Sequence, residues 1–199
     1  METANNTPAL LAGVAAGEIG LLVFLTIHHF TIRPIWFILL PGAAIAAVSG
    51  AAVGWAFHIL RPTLPQNIWL ASLMLAGLLT LTQVPGFLLG AVREPLIDMT
   101  TATLLPGKGQ AAFMAFFLEL FLTAALVGGL IGWGLAREAR SAGVMALAAV
   151  LFALGPGHNI PFFAGTSGAG KMWMLMGAFI TAAALAFPAA LTLFTRLDN

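Results

Sequence analysis

The chain has 199 residues, of which 60% are hydrophobic and 8% are charged, and its formal net charge is +1. Soluble domains typically carry about 25% charged residues, so the composition excludes a water-soluble globular fold and predicts a chain embedded in lipid. The near-neutral charge excludes the basic surface of a nucleic-acid-binding protein. The absence of cysteine excludes disulfides, thiolate metal centres, iron–sulfur clusters and covalently attached c-type haem.

Six apolar stretches are long enough to cross a bilayer, which takes about 20 residues. They cover residues 9–30, 34–60, 67–92, 111–136, 142–164 and 171–194. The first stretch is not preceded by lysine or arginine, so we expect a retained span and not a cleaved signal peptide. All five tryptophans lie near predicted span borders, as in an aromatic belt. The sequence therefore predicts an all-α, polytopic bundle of about six transmembrane helices, with residues 1–199 as one domain in the lipid bilayer.

The two halves, 9–92 and 111–194, share features that suggest a 3+3 inverted repeat. Each half carries one glutamate in its first span, one Pro-Gly pair in its second, and a tryptophan with a later proline in its third. These markers are Glu18 and Glu119, Pro41-Gly42 and Pro156-Gly157, and Trp69 with Pro85 and Trp173 with Pro188. Inverted repeats of three spans recur in secondary transporters. Chance is the alternative explanation, because glycine and proline are common in membrane helices.

Glu18 and Glu119 each lie within a predicted span. An ionisable side chain near the bilayer centre costs at least about 2.5 kcal/mol, so it usually faces a partner or a water-filled cavity. We therefore expect both carboxyls to face the interior of the protein and to act as protonatable coupling groups. The alternative is a protonated carboxyl that is hydrogen-bonded to a neighbouring helix and has no further role.

Histidines at the ends of two predicted spans extend this polar set. Glu18 and His29 share one helical face at a separation of about 16 Å, which could form a proton or cation path. His28 points elsewhere and is expected among lipid headgroups, where polar side chains are inexpensive. His58 follows the last member of a small-residue stripe in the second span and is expected at a helix contact, as a hydrogen-bonded side chain or as a ligand. The stripe consists of Gly42, Ala46, Gly50 and Gly54, which allow another helix to approach closely.

The fifth span is predicted to be broken between Gly155 and Pro161, because glycine and proline at this density interrupt a helix. Unwound backbone at membrane depth is tolerated where protein or water covers it. His158 and Asn159 lie within the break, and Gln83 lies in the third span, so all three are candidates for polar lining or ligands. The alternative is a loop whose glycines and prolines serve turn geometry alone.

Three functions from different classes fit these features. The first is a small proton-coupled secondary transporter or another protein that handles an ion or small solute. The second is a cofactor-binding subunit, in which two of the four histidines ligate a b-type haem or the chain contacts a quinone. The third is a structural subunit, either homo-oligomeric or assembled with partner subunits of a membrane complex. No hydrolase or metalloprotease motif is present, so an enzyme is the less favoured class.

Overall fold

The computed structural model describes residues 6–32, 38–101, 108–157 and 169–197, and every regular element in these ranges is helical. The α-helices are α1 (Thr7–Thr31), α2 (Leu39–Leu60), α3 (Ile68–Thr101), α4 (Lys108–Ala136), α5 (Ala139–Phe152) and α6 (Ala169–Leu197). A short 3₁₀ turn, Arg61–Thr63, continues α2. A π-helical turn, Ala153–Gly157, continues α5 and is called the π turn below.

Five helical segments are long and apolar enough to cross a membrane. These are Thr7–Thr31, Leu39–Thr63, Ile68–Gly86, Leu118–Ala136 and Met174–Leu197. The sixth apolar helix, Ala139–Gly155, is shorter than the others. The predicted all-α helical bundle is therefore confirmed. The length and composition of these five helices suggest a membrane protein.

The third and fourth helices extend into the segment 93–110 that the sequence predicted to be a loop. In the structure α3 continues to Thr101 and α4 already begins at Lys108. The segment lies between the third and fourth predicted spans and carries Arg93, Glu94, Asp98 and Lys108, which favour a connection outside the membrane. Charge alone does not interrupt a helix, because glutamate, arginine and lysine are good helix formers.

Side chains fix the short connection between α2 and α3. The guanidinium of Arg61 donates hydrogen bonds to the backbone carbonyls of Pro65 and Gln66 at 2.7 and 2.6 Å. It also lies over the ring of Phe57, 5.8 Å from the ring centroid. Asn67 caps α3, because its Oδ1 accepts hydrogen bonds from two backbone N–H groups of the first turn at 2.9 and 3.2 Å. These contacts define where α2 ends and α3 begins.

The helices pack as one bundle in which α1 lies against α2 and α6, and α4 lies against α5 and α3. Helices α2 and α5 touch each other and join the two groups. A large buried apolar cluster includes residues from all six helices, and a smaller one fills the space between α1, the start of α2 and α6. The polar side chains described below lie inside this otherwise apolar interior.

The Pro-Gly markers of the predicted inverted repeat do not occupy equivalent positions. Pro41 and Gly42 lie in the first turn of α2, whereas Pro156 and Gly157 end the π turn after α5. A repeat would place both pairs at the same end of corresponding helices. The Pro-Gly pairs therefore give the 3+3 repeat no structural support.

Candidate functional site

A seam of small residues joins α1 and α2 with backbone against backbone. A Cβ atom added at Gly13 would overlap the carbonyl oxygen of Gly50, and one at Gly50 would overlap that of Gly13. Gly54 meets the carbonyl of Ala9 in the same way. Ala46, Gly50 and Gly54 of the predicted stripe thus touch the backbone of α1, and Gly42, the fourth residue, faces the α1 side chain of Leu21. The paired positions rise along one helix as they fall along the other, so α1 and α2 are antiparallel.

Helix α5 ends inside the bundle. The π turn that follows it packs against α2, α3, α4 and α6, and Ala153 and Gly155 are buried. A Cβ atom added at Gly155 would lie 2.9 Å from the Oγ atom of Ser49 and 3.4 Å from its Cβ atom. Ser49 lies at the middle of α2. The π turn is therefore level with the midpoint of a helix that is long enough to cross a membrane.

Gln83 is the main polar side chain beside the last turn of α5. It is 2% exposed, and its Nε2 atom donates to the backbone carbonyl of Ala149 at 3.3 Å and to the Thr82 hydroxyl at 2.6 Å. Thr82 in turn donates to the carbonyl of Leu79 at 2.6 Å. The Oε1 atom of Gln83 is buried and has no hydrogen-bond partner among the described residues. An acceptor left in this state typically costs about 1–3 kcal/mol, so a donor is expected to reach it.

A cavity of about 60 Å³ lies between α1, α2, α3, α5 and α6. Most of its lining is apolar, and its polar side chains are Ser49 and Ser72. Both hydroxyls donate to carbonyls of their own helices, at 3.2 and 2.7 Å. The volume is sufficient for at least one water molecule. The same Ser49 contacts the π turn, so the cavity adjoins the end of α5.

A groove on the bundle surface runs between α3 and α6 and encloses about 470 Å³. Gly77 deepens it, because nothing lies within 4 Å of a Cβ atom added there. Thr80 and Thr181 are its hydroxyl-bearing residues. Its lining shares Ala76, Ile180 and Ala184 with the lining of the inner cavity. Side chains of the seam between α3 and α6 therefore separate that cavity from the groove.

Glu18 lies on the outer face of α1 and not toward the interior as expected. It is partly buried, shares its face with the exposed Leu11 and Leu22, and has no hydrogen bond to the described residues. Glu119 is also partly buried and lies between two faces of α4, with the exposed Leu122 and Leu126 on one side and the residues that approach Gly86 of α3, Leu120 and Thr123, on the other. The expectation failed for Glu18 because Gly13 and Gly17, and not the acid, determine which face of α1 packs against α2.

Thr123 lies one helical turn after Glu119 in α4. Its hydroxyl donates to the backbone carbonyls of Glu119 and Leu120, at 2.8 and 3.0 Å. This is the usual bond of a threonine inside a helix, directed to a carbonyl one turn earlier. The Thr123 hydroxyl therefore forms its hydrogen bonds with the backbone of α4.

The histidines lie apart, and one of them differs from its prediction. His28, expected among headgroups, is fully buried, with its ring 5.9 Å from that of Phe24. It shares a helical face with Phe24 and Leu21, and it is therefore buried beside the smaller apolar cluster to which they belong. His29 is partly buried next to Phe30, and His58 is partly buried in the last turn of α2. Because α1 and α2 are antiparallel, His58 lies at the opposite end of the bundle from His28 and His29.

The described histidines consequently do not fit the two axial ligands of one haem. No group of three or more histidine, aspartate or glutamate side chains could hold a metal ion in the described ranges. His158 and Asn159, the polar residues predicted for the break in the fifth span, lie outside the described residues.

Sequence reasoning named Gln83 but missed three other buried polar side chains. Ser49, Thr82 and Ser141 are almost completely buried, and the Oγ atom of Ser141 has no partner in the described ranges. A signal was available for Ser49, because it lies between Ala46 and Gly50 in the small-residue stripe. Thr82 directly precedes Gln83, and a polar pair inside an apolar span also marks a protein-facing position.

Comparison of the chain with models of protein families, with curated proteins and with solved structures finds no match. The geometry of the bundle interior is therefore the basis for a proposed function.

Proposed function

We propose that this chain is an integral, multi-pass membrane protein that handles an ion or a small solute at a polar centre inside the bundle. The polar centre consists of Gln83, Thr82, Ser49 and the π turn. The buried Oε1 atom of Gln83 carries the proposal, because it lacks a partner in the described ranges beside a helix that ends there.

The position of the π turn supports this proposal. If α2 crosses the bilayer, its midpoint at Ser49 lies near the bilayer centre, and so does the end of α5. A change from α-helix to π turn at that depth alters the backbone hydrogen-bonding pattern, and such turns occur frequently at functional sites. Discontinuous helices with polar ends near the bilayer midplane form the binding sites of many secondary transporters. The α-helical part of α5 has 14 residues, about 21 Å, before the π turn begins.

Flux through proteoliposomes tests the proposal. The probes are protons, followed with an enclosed pH dye, radioactive sodium, and urea, followed by light scattering. We expect protein-dependent flux of at least one probe, and a loss of about tenfold in Gln83→Leu, because a transported donor would lose an acceptor worth about 1–3 kcal/mol. Gln66→Leu is the matched control, since Gln66 is exposed in the connection between α2 and α3.

The proposal fails if Gln83→Leu and Gln66→Leu vesicles carry every probe at the same rate as wild type. It also fails if none of the probes crosses faster in protein-containing vesicles than in empty ones. Correct folding of each variant is checked by its elution as a single peak in size-exclusion chromatography before reconstitution.

The position of Glu18 favours a second candidate, a subunit of a larger membrane assembly. An acid on the outer face of a membrane helix is expensive in lipid, and a neighbouring helix of a partner or second copy would cover it. Proton coupling by Glu18 then takes place at that contact and not inside one chain. Isolation of native membranes and identification of what co-purifies with the chain distinguishes an assembled subunit from a protein that works alone.

A further inference from the structure

The orientation of the Gln83 amide restricts what the polar centre binds. The carbonyl of Ala149 can only accept a hydrogen bond, so the amide nitrogen of Gln83 must face it. The Thr82 hydroxyl donates its one proton to Leu79 and can then only accept from Gln83. Both contacts hold the NH₂ group, so the carbonyl oxygen Oε1 must face the other way. The free position of the amide is therefore an acceptor.

The adjoining helix end has the same polarity. The backbone dipoles of an α-helix place about half a negative charge at its C-terminus. Ala149 belongs to the last regular turn of α5, which ends at Phe152. The π turn continues the helical backbone to Gly157, so this negative end extends over the last turn of α5 and the π turn, beside the Gln83 amide. Both features repel an anion and attract a cation.

The ligand groups also indicate the charge of that cation. Amide and backbone carbonyl oxygens are hard, neutral ligands, and the described ranges contain no carboxylate cluster. A divalent ion usually requires carboxylates, as in calcium sites. From this geometry we infer that the polar centre binds a partly dehydrated monovalent alkali cation, with the Oε1 atom of Gln83 as one ligand. This inference rests on the proposed function and names its substrate class.

Thermal unfolding of the purified full-length protein tests the inference, with intrinsic tryptophan fluorescence as the readout. The salts are lithium, sodium, potassium and N-methylglucamine chloride at equal ionic strength. We expect at least one alkali cation to raise the unfolding midpoint by about 5 °C at 100 times its dissociation constant, and N-methylglucamine to have no effect. Gln83→Leu should lose this shift, and Gln66→Leu should retain it.

Gln83→Glu provides a second test if Gln83→Leu does not fold. It keeps an acceptor oxygen and places an O–H where the NH₂ group donated to the Ala149 carbonyl; a bound cation favours loss of that proton, so the cation concentration that raises the midpoint should fall as the pH rises. A concentration dependence in Gln83→Glu that does not change with pH contradicts the inference, as does an equal cation shift in wild type and Gln83→Leu.

A parallel measurement of urea entry into proteoliposomes distinguishes failure of the cation site from failure of the proposed function. Gln83-dependent urea entry without any cation effect on unfolding overturns the cation and leaves a site for neutral donors. The absence of both a cation effect and Gln83-dependent entry overturns the cation site and the proposed function together.

Discussion

Alanine in place of Gly50 is expected to destabilise the protein more than alanine at any exposed glycine of the bundle. The added Cβ atom overlaps the carbonyl oxygen and carbon of Gly13, which are backbone atoms that cannot rotate away. Overpacking of this kind typically costs about 1–3 kcal/mol and occasionally more. A domain of this size loses about 2–4 °C of unfolding midpoint per kcal/mol. We therefore expect a loss of about 2–12 °C for Gly50→Ala, measured by tryptophan fluorescence in detergent, and a similar loss for Gly13→Ala.

Gly143→Ala is the matched control for this prediction. Gly143 lies in α5, is exposed, and has nothing within 4 Å of an added Cβ atom. Alanine is favoured over glycine inside a helix by up to about 1 kcal/mol, so this variant should unfold at or above the wild-type midpoint. If Gly50→Ala and Gly143→Ala unfold at the same temperature, α1 and α2 are not in backbone contact at Gly50.

Leucine in place of Gly155 is the second large expected effect. Its Cβ atom would lie 2.9 Å from the Oγ atom of Ser49 and 3.3 Å from the Cγ2 atom of Ile45, and the rest of the side chain would enter α2. The π turn must then move away from α2. We expect Gly155→Leu to lower the unfolding midpoint, again by the 1–3 kcal/mol typical of overpacking, and to reduce any Gln83-dependent flux in proteoliposomes.

A second substitution in α2 shows whether this loss arises from the contact itself. Ser49→Gly removes both atoms of Ser49 that the new side chain meets, so the double variant should recover part of the midpoint lost by Gly155→Leu. In such double-mutant cycles, the interaction energy between neighbouring residues is roughly 0.5–3 kcal/mol. Strictly additive losses would mean that Gly155 and Ser49 do not touch.

The helical class and most of the helix positions could be predicted from sequence, because length and hydropathy determine which segments can cross a bilayer. The predicted end of the fourth span coincides with the end of α4 at Ala136, and α3 begins one residue after the predicted start, with Asn67 as its cap. The extensions of α3 and α4 into 93–110 could not be predicted from charge, since charged residues are compatible with helices that project beyond the apolar region.

The interior of the bundle was harder to predict, because hydropathy does not specify which face of a helix meets its neighbour. The insertion cost of a glutamate predicted an inward side chain, but that cost is also met by a contact outside the chain. The small-residue pattern was the better guide, since Gly13, Gly50 and Gly54 do form the contact between α1 and α2. Gln83 was recognised as polar in an apolar span, whereas its contact with Ala149 depends on tertiary packing between distant segments.

The most direct test of the polar centre is a disulfide between Ser49→Cys and Gly155→Cys. The chain has no cysteine of its own, so any bridge must join the two introduced residues. The Cβ atoms at these positions would lie 3.4 Å apart, close to the 3.5–4.5 Å range that disulfides roughly occupy. The control pair is Ser49→Cys with Gly143→Cys. Gly143 precedes Gly155 in the chain and lies about 18 Å from it along the axis of α5.

Mass spectrometry of the oxidised protein in native-like membranes should show an intramolecular bridge in nearly all of the Ser49→Cys/Gly155→Cys variant and in little of the control pair. That result would place the end of α5 opposite the middle of α2. Free thiols in both pairs, or equal bridging in both, would contradict a helix that ends halfway through the bundle.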